Sequence, residues 1–122
     1  PIWVQKEVSI IPTDTAKTIY LRLQKEIVTL FKENWNLIKN DIIKPVKQIE
    51  DNAVYHAKNE INGLDRINLS KVQTIRETIN FLRARSFGDL GFSHYEDDGK
   101  EIYINLRLSL DMDMNKEKNE DR

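Results

Sequence analysis

A histidine and a carboxylate with helical spacing are the first residues in this sequence that could do chemistry. His56 and Glu60 are four positions apart, so a helix would place both on one face, as a pair of metal ligands requires. The sequence offers no third ligand, and a surface ion pair between the two side chains is the stronger interpretation. We therefore predict no metal site. The absence of cysteine excludes thiolate ligands and cysteine nucleophiles.

The stretch DMDMN at 111–115 begins like a calcium-binding loop. Such a loop needs glycine at its sixth position and glutamate at its twelfth, and Lys116 and Arg122 stand at those two positions here. We therefore predict that this stretch binds no calcium and that residues 111–122 form a polar, flexible tail.

The chain begins with Pro1, and an alternating stretch of apolar and polar residues follows it. An α-amino group has a pKa of about 8, which suits proton transfer near neutral pH. This beginning resembles the tautomerase superfamily, whose N-terminal proline serves as a general base. The resemblance implies an enzyme that works through the Pro1 amine. It covers only the first strand, because the βαβ arrangement of that superfamily does not continue along this chain, so this enzyme is our third functional hypothesis.

Four polar residues on one predicted helix have the chemistry of DNA recognition. Arginine binds guanine or phosphate and asparagine binds adenine, and the helix carries Arg76, Asn80, Arg83 and Arg85. A helix followed by a hairpin is also the order of elements in winged-helix proteins. However, the predicted hairpin tip, residues 96–101, holds four carboxylates and one lysine, which would repel phosphate. A winged-helix-like DNA-binding protein is therefore the second hypothesis.

The overall composition is that of one globular domain. Hydrophobic residues make up 39% of the chain and charged residues 32%. The net charge is −1, but residues 1–85 hold 14 basic against 10 acidic residues, and residues 86–122 hold 5 against 10. No apolar run is long enough for a membrane span, and no signal peptide opens the chain. We expect a cytoplasmic protein that does not bind membranes.

The first half of the chain predicts one strand and one long helix. Residues 2–11 alternate between apolar and polar types, which indicates a strand with one buried face, and Pro12 ends it. From Ala16 the apolar residues recur at steps of three and four, which predicts a long amphipathic helix. Pro45 should kink or break that helix, leaving a second helical piece over about 46–61.

The second half predicts a capped helix and a hairpin. Ser70 and Gln73 have the spacing of a capping box and precede a helix over about 71–85. Asp98 and Gly99 form a two-residue turn of the kind that needs positive φ at both positions.

Beyond this turn the chain alternates between apolar and polar residues up to residue 110, and this strand is longer than its partner at 92–97. Its surplus length can pair with the strand over 2–11. His94 lies opposite Tyr103 in the hairpin, where packing across the strands is the stronger interpretation of its role.

These elements predict a single α+β domain over residues 1–110. It consists of a long kinked helix, or a helix pair, plus a capped third helix, packed on a three-stranded sheet of the N-terminal strand and the C-terminal β-hairpin. The long helix has apolar residues on two flanks, so one flank can pack on its own domain and the other on a partner. The predicted partner interface comprises Leu23, Ile27, Leu30, Phe31, Trp35 and Ile38.

Residues 30–42, LFKENWNLIKNDI, and residues 56–85 resemble the helical domain of GINS replication subunits. The resemblance covers about half the chain, rests on generic helical residues, and implies a place in nucleic-acid machinery. Our leading hypothesis is thus a non-catalytic interaction subunit or homo-oligomeric accessory protein, without cofactor. Its expected partner is a protein or a second copy, and nucleic acid is a further candidate.

Overall fold

The computed structural model describes residues 1–110, except for the side chain of Asn52, and shows an α+β fold as predicted. Four short strands follow the helices in the chain, so helices and strands are segregated along the sequence. The predicted tail over 111–122 and its calcium-like stretch lie outside the described residues. No helix within the described part of the chain is long and apolar enough to cross a membrane.

Helix α1 comprises Ala16–Lys39 and confirms the predicted long helix. It ends in a Schellman motif, in which Asp41 adopts a positive φ of 59°. The N–H of Asp41 donates to Ile38 O (3.0 Å) and the N–H of Ile42 to Leu37 O (2.9 Å). The helix therefore ends before Pro45, so the long helix is interrupted here and not merely kinked.

The predicted second helical piece over 46–61 is wrong. This part of the chain holds two single-turn 3₁₀ helices, Glu50–Asn52 and Lys58–Glu60, and only the four residues of α2, Ile61–Leu64, are α-helical. The physical reason lies at Val46, whose N–H and C=O exchange hydrogen bonds of 2.8 and 2.7 Å with Ile2. This bridge holds the backbone extended at the residue where a helix would have to begin.

Helix α3, Ile75–Ala84, begins four residues later than predicted. Its capping box is formed by Thr74 and Glu77 instead of Ser70 and Gln73. The Glu77 N–H donates to the Thr74 hydroxyl (3.2 Å), and the Thr74 N–H donates to the Glu77 carboxylate (2.8 Å). The charged Glu77 side chain in the first turn of α3 also interacts favourably with the helix dipole. The neutral Gln73 side chain would not do so in the predicted capping box.

The C-terminal hairpin and its two-residue turn are formed as predicted, but the last strand ends at residue 104 instead of 110 and has the same length as its partner. Strands β3, Ser93–Asp97, and β4, Lys100–Ile104, pair antiparallel around a two-residue turn whose φ angles are 49° and 69°. His94 lies opposite Tyr103, and their ring centroids are 5.0 Å apart. A smaller antiparallel pair, β1 (Ser86–Phe87) and β2 (Leu90–Gly91), precedes this hairpin.

The predicted three-stranded sheet is not formed, because residues 2–11 make no strand. Arginine side chains bind the backbone carbonyls of this segment instead: Arg22 donates to Ser9 O (2.8 Å) and Arg83 to Ile11 O (2.9 Å). These hydrogen bonds satisfy two of the carbonyl groups of the segment without a neighbouring strand. The described residues form two separate two-stranded sheets.

Asp14 joins the N-terminal segment to α1 and α3. Its carboxylate is buried, with 2% of its surface exposed, and it accepts two hydrogen bonds from Arg22 (2.7 and 2.8 Å) and one from the Ile11 N–H (2.8 Å). Its backbone carbonyl accepts from Arg83 on α3 (2.7 Å). The hydrogen bonds from Arg22 hold the pKa of this carboxyl well below its usual value of 3.8, against the opposing effect of burial.

We expect Asp14→Asn to lower the free energy of unfolding by about 2–3 kcal/mol at pH 7, because it removes the charge that pairs with Arg22. The folded pKa lies below the unfolded one, so this stabilisation is complete above about pH 4 and is lost as the pH falls further. Urea denaturation at pH 7 and pH 3 should therefore show a smaller difference between variant and wild type at pH 3.

Asp41→Asn is the matched control, since Asp41 forms an ion pair with Lys44 in which both side chains are exposed. It should change stability little at either pH. An equal loss in the two variants would contradict the role given to Asp14.

Candidate interaction surfaces

The described residues contain no buried hydrophobic side chain. The chain exposes 10977 Å² of surface, whereas a compact protein of this size exposes about 6,800 Å². Residues 111–122 could contribute at most about 2,000 Å², even if fully exposed. At least half of the excess therefore comes from residues 1–110, and this surface is available for contact with other polypeptide.

One flank of α1 is a large exposed apolar surface, and it carries the predicted partner residues. Leu23, Ile27, Phe31 and Trp35 are exposed, and Leu30 and Ile38 are half-buried. The rings of Phe31 and Trp35 stack with centroids 5.3 Å apart. We call these six residues the α1 face.

The helix also contacts its own domain through Tyr20, which meets Phe87 of β1 edge-on at 5.6 Å. The helix thus packs on its own domain at β1 while the α1 face stays uncovered. Tyr20 is seven residues before Ile27 and so lies on the same side of the helix as the α1 face, which means that this contact does not separate two flanks. The α1 face as a partner interface stays a prediction.

Asp65 is a second buried aspartate, and it connects the end of α3 with the hairpin. Asp65 accepts two hydrogen bonds from the Arg85 guanidinium (2.5 and 2.8 Å). The same guanidinium lies 5.0 Å from the centre of the Phe92 ring. The Asp65 carbonyl accepts from the His94 N–H (2.9 Å), and the Ile67 N–H donates to His94 O (2.7 Å). One edge of β3 is therefore occupied by residues 65–67.

The chain that follows β4 is positioned by small residues of β1 and β2. The buried Ser86 hydroxyl donates to Leu82 O (2.7 Å) and accepts from the Leu106 N–H (2.8 Å). The Asn105 side chain donates to Gly88 O (2.8 Å). Gly91 approaches so closely that a Cβ atom there would lie 1.9 Å from Ile104 O. Asn105 and Leu106 are thus held in place as the chain leaves β4.

The four residues predicted as nucleic-acid contacts are used differently. Arg83 and Arg85 donate to Asp14 and Asp65, so both guanidinium groups serve the fold. Asn80 accepts from Arg83 (3.3 Å), whereas Arg76 lies exposed on α3. These side chains therefore do not form one exposed basic surface.

The geometry of the described residues gives no catalytic or metal centre. No group of three or more His, Asp or Glu side chains in that part of the chain could hold a metal ion. His56 and Glu60 form the expected exposed pair, with 3.0 Å between the ring nitrogen and the carboxylate. A hydrogen bond from the Ala57 N–H and the contact with His56 lower the pKa of Glu60. The described part of the chain does present apolar surface for contact with another polypeptide, most of all on the α1 face.

Comparisons with known proteins show the family of the chain. The sequence profile described as "N-formyltransferase dimerization C-terminal domain" matches residues 47–110, which is more than half of the chain. The chain belongs to this family. A search of curated proteins finds no significant match.

Solved structures agree with the family. A 4-N formyltransferase from Francisella tularensis superimposes with a TM-score of 0.80 at 26% identity, over 88% of this chain and 45% of that protein. A sugar N-formyltransferase from a Shewanella species gives 0.75 at 30% identity, over 88% and 44%. A Mycobacterium tuberculosis protein at 23% identity, with a TM-score of 0.81 over 91% and 48%, shares the fold. The chain thus spans less than half the length of these relatives.

Membership of an N-formyltransferase family corrects the functional hypotheses. An accessory subunit of replication machinery, a winged-helix DNA-binding protein and an enzyme working through Pro1 are all wrong. The prediction that the chain is not an enzyme is also contradicted, because the relatives are N-formyltransferases, although this chain matches only their C-terminal dimerization domain. Self-association is supported by the family, and association with nucleic acid is not.

We expect Gly91→Ala to destabilise the N-formyltransferase domain by about 1–3 kcal/mol, because the new methyl group would overlap the backbone carbonyl of Ile104. Gly63→Ala is the matched control, since nothing lies within 4 Å of a Cβ atom at that glycine. Thermal unfolding followed by circular dichroism measures both variants. Equal melting temperatures would show that β2 and the end of β4 are not in close contact.

Proposed function

We propose that this chain is the C-terminal part of an N-formyltransferase that acts on an amino sugar, and that residues 47–110 join two copies of the enzyme. The observation that carries the proposal is the match of residues 47–110 to the dimerization domain. The sugar substrate is proposed from the Shewanella relative, which is a sugar N-formyltransferase. A cytoplasmic location stays a prediction.

The exposed surface supports two separate interfaces. A protein–protein interface of standard size covers about 800 Å² on each partner. The excess surface of residues 1–110 is at least about 2,000 Å², by comparison with a compact protein. One dimer contact of standard size would therefore leave more than half of this excess surface uncovered.

We assign the α1 face to the second interface. The family profile begins at residue 47 and so does not include α1, whereas the solved relatives match α1 and continue over more than half of their length outside the match. A packed body of that size offers apolar surface for the α1 face to cover. The occupant that we propose is this remaining part of an N-formyltransferase, which would hold the catalytic site.

Light scattering after size exclusion tests the dimer directly. At about 0.15 M salt we expect twice the mass of one chain, because residues 47–110 associate with a second copy. The mass should decrease on dilution below the dissociation constant. A single-chain mass at every concentration would contradict the proposed function.

Tryptophan fluorescence tests the α1 face, because the chain has two tryptophans and Trp3→Phe leaves Trp35 as the only one. In the isolated dimer we expect acrylamide to quench Trp35 readily. In a hybrid that carries residues 1–110 in place of the matching part of the Francisella tularensis enzyme, quenching should fall several-fold and the emission should shift to shorter wavelength.

The control is the complementary variant Trp35→Phe, in which Trp3 reports on the N-terminal segment instead. Protection of Trp35 in the isolated dimer would assign the α1 face to the second copy. Unchanged quenching in a folded hybrid would show that the rest of the enzyme does not cover it.

A further inference from the structure

The chain consists of two units joined by an exposed connection. Residues 1–46, which we call the α1 unit, hold the N-terminal segment and α1, and the bridge between Ile2 and Val46 closes this unit. Residues 61–110, the hairpin unit, hold α2, α3 and the four strands. The connection over 47–60 contains two single-turn 3₁₀ helices, and its described side chains are exposed except for one that is half-buried. Such a connection cannot by itself fix the angle between the two units.

Arg83 spans the boundary between these units. We propose that this side chain fixes the hairpin unit on the α1 unit, and that without it the hairpin unit turns about residues 47–60. The consequence for the enzyme rests on the proposed function. The hairpin unit lies within the match to the dimerization domain, whereas α1 lies outside it. Arg83 would therefore set the angle at which two copies of the enzyme are joined.

The Arg83 guanidinium binds two backbone carbonyl groups of the α1 unit. Its Nε–H donates to Asp14 O (2.7 Å), and Nη2 donates to Ile11 O (2.9 Å). The remaining nitrogen, Nη1, donates to the side-chain oxygen of Asn80 at 3.3 Å and so orients the group from its own helix. A guanidinium is planar and its donors have a fixed geometry. Two bonds to two carbonyl groups therefore define a direction as well as a distance.

The two carbonyl groups belong to a turn that is itself fixed to α1. The Asp14 N–H donates to Ile11 O (3.0 Å), and the Ile11 N–H donates back to the Asp14 carboxylate (2.8 Å). The same carboxylate accepts two hydrogen bonds from Arg22 and one from the Thr18 hydroxyl (2.8 Å), and both of these residues lie on α1. A bond from Arg83 to this turn is thus equivalent to a bond between α3 and α1.

A second contact between the units is less directional. Tyr20 of α1 meets Phe87 of β1 edge-on at 5.6 Å, but 48% of Tyr20 stays exposed. No hydrophobic side chain of the described residues is buried, so no apolar core fills the boundary in that part of the chain. The edge contact of two rings is compatible with a range of geometries, whereas hydrogen bonds weaken steeply when they are bent. Of these two contacts, the one made by Arg83 defines the angle.

Pulsed electron paramagnetic resonance measures the angle as a distance between two nitroxide labels. The chain has no cysteine, so Lys32→Cys on α1 and Arg76→Cys on α3, both at exposed positions, carry one label each. Labelled chains are mixed with an excess of unlabelled ones, so that the measured distance comes from within one chain whether or not two chains associate. We expect one narrow distribution of distances.

Arg83→Met keeps an apolar side chain of similar reach and removes the donors. We expect it to widen the distance distribution at least about twofold, because the hairpin unit can then turn about the connection. The far-UV circular dichroism and the mass from light scattering should stay unchanged. Arg83→Lys should give an intermediate width, since an ammonium group can reach a carbonyl but lacks the planar pair of donors.

Arg66→Met is the matched control. Arg66 is exposed and donates to Glu96 at 3.0 Å, and this ion pair lies entirely within the hairpin unit. The same substitution at this position removes a guanidinium group and its carboxylate contact without changing the boundary. It should leave the distance distribution as narrow as in the parent chain.

Widening in the Arg83 variants alone supports the proposal. An unchanged width in a folded Arg83→Met chain, or equal widening in Arg66→Met, overturns it. If circular dichroism shows that Arg83→Met does not fold, Arg83→Lys decides, and a width equal to that of the parent chain overturns the proposal. The dimer is a separate result, because a single-chain mass contradicts the proposed function and leaves the distance within one chain measurable.

Discussion

Two buried aspartates, Asp14 and Asp65, connect the elements of this chain through hydrogen bonds. Among the described residues no hydrophobic side chain is buried, so no apolar core connects these elements instead. Asp14 connects the N-terminal segment with α1 and α3 through Arg22 and Arg83. Asp65 connects residues 65–67 with the hairpin through Arg85 and the backbone of His94. Hydrogen bonds of this kind are directional, so they position the elements, but they supply less free energy than a hydrophobic core would.

The missing core and the family assignment have one common explanation. In the proposed enzyme, the apolar side chains exposed in residues 1–110 would be buried in contacts with a second copy and with the rest of the enzyme instead of within the domain. Stability of such a chain depends on its concentration and on its neighbours, since association and folding contribute to one free energy.

Elements with local determinants could be predicted from the sequence. The turn at Asp98 and Gly99 is specified by two neighbouring residues, and the long helix by its periodic apolar residues. Elements that depend on distant contacts could not. The stretch over 46–61 has a helical pattern, but a bridge to Ile2 holds its first residue extended. Likewise, residues 2–11 have a strand pattern, but arginines from two helices bind their carbonyls.

The apolar surface could be predicted, and the family could not. The amphipathic pattern of α1 indicated an interface because it depends only on residue spacing. The family signal is spread over residues 47–110 without a short motif, so no small group of residues is enough to identify the family. Arg83 and Arg85 looked like ligands for phosphate because sequence alone does not show that a backbone carbonyl 69 positions away and a carboxylate 20 positions away already bind them.

The acidic turn of the hairpin has a consequence for how two copies of this chain can meet. Residues 96–101 hold four carboxylates and one lysine. Two such turns brought side by side would repel each other, because their charges have the same sign. The charge at the turn therefore disfavours arrangements that bring the two turns together, without contributing any contact to the right one.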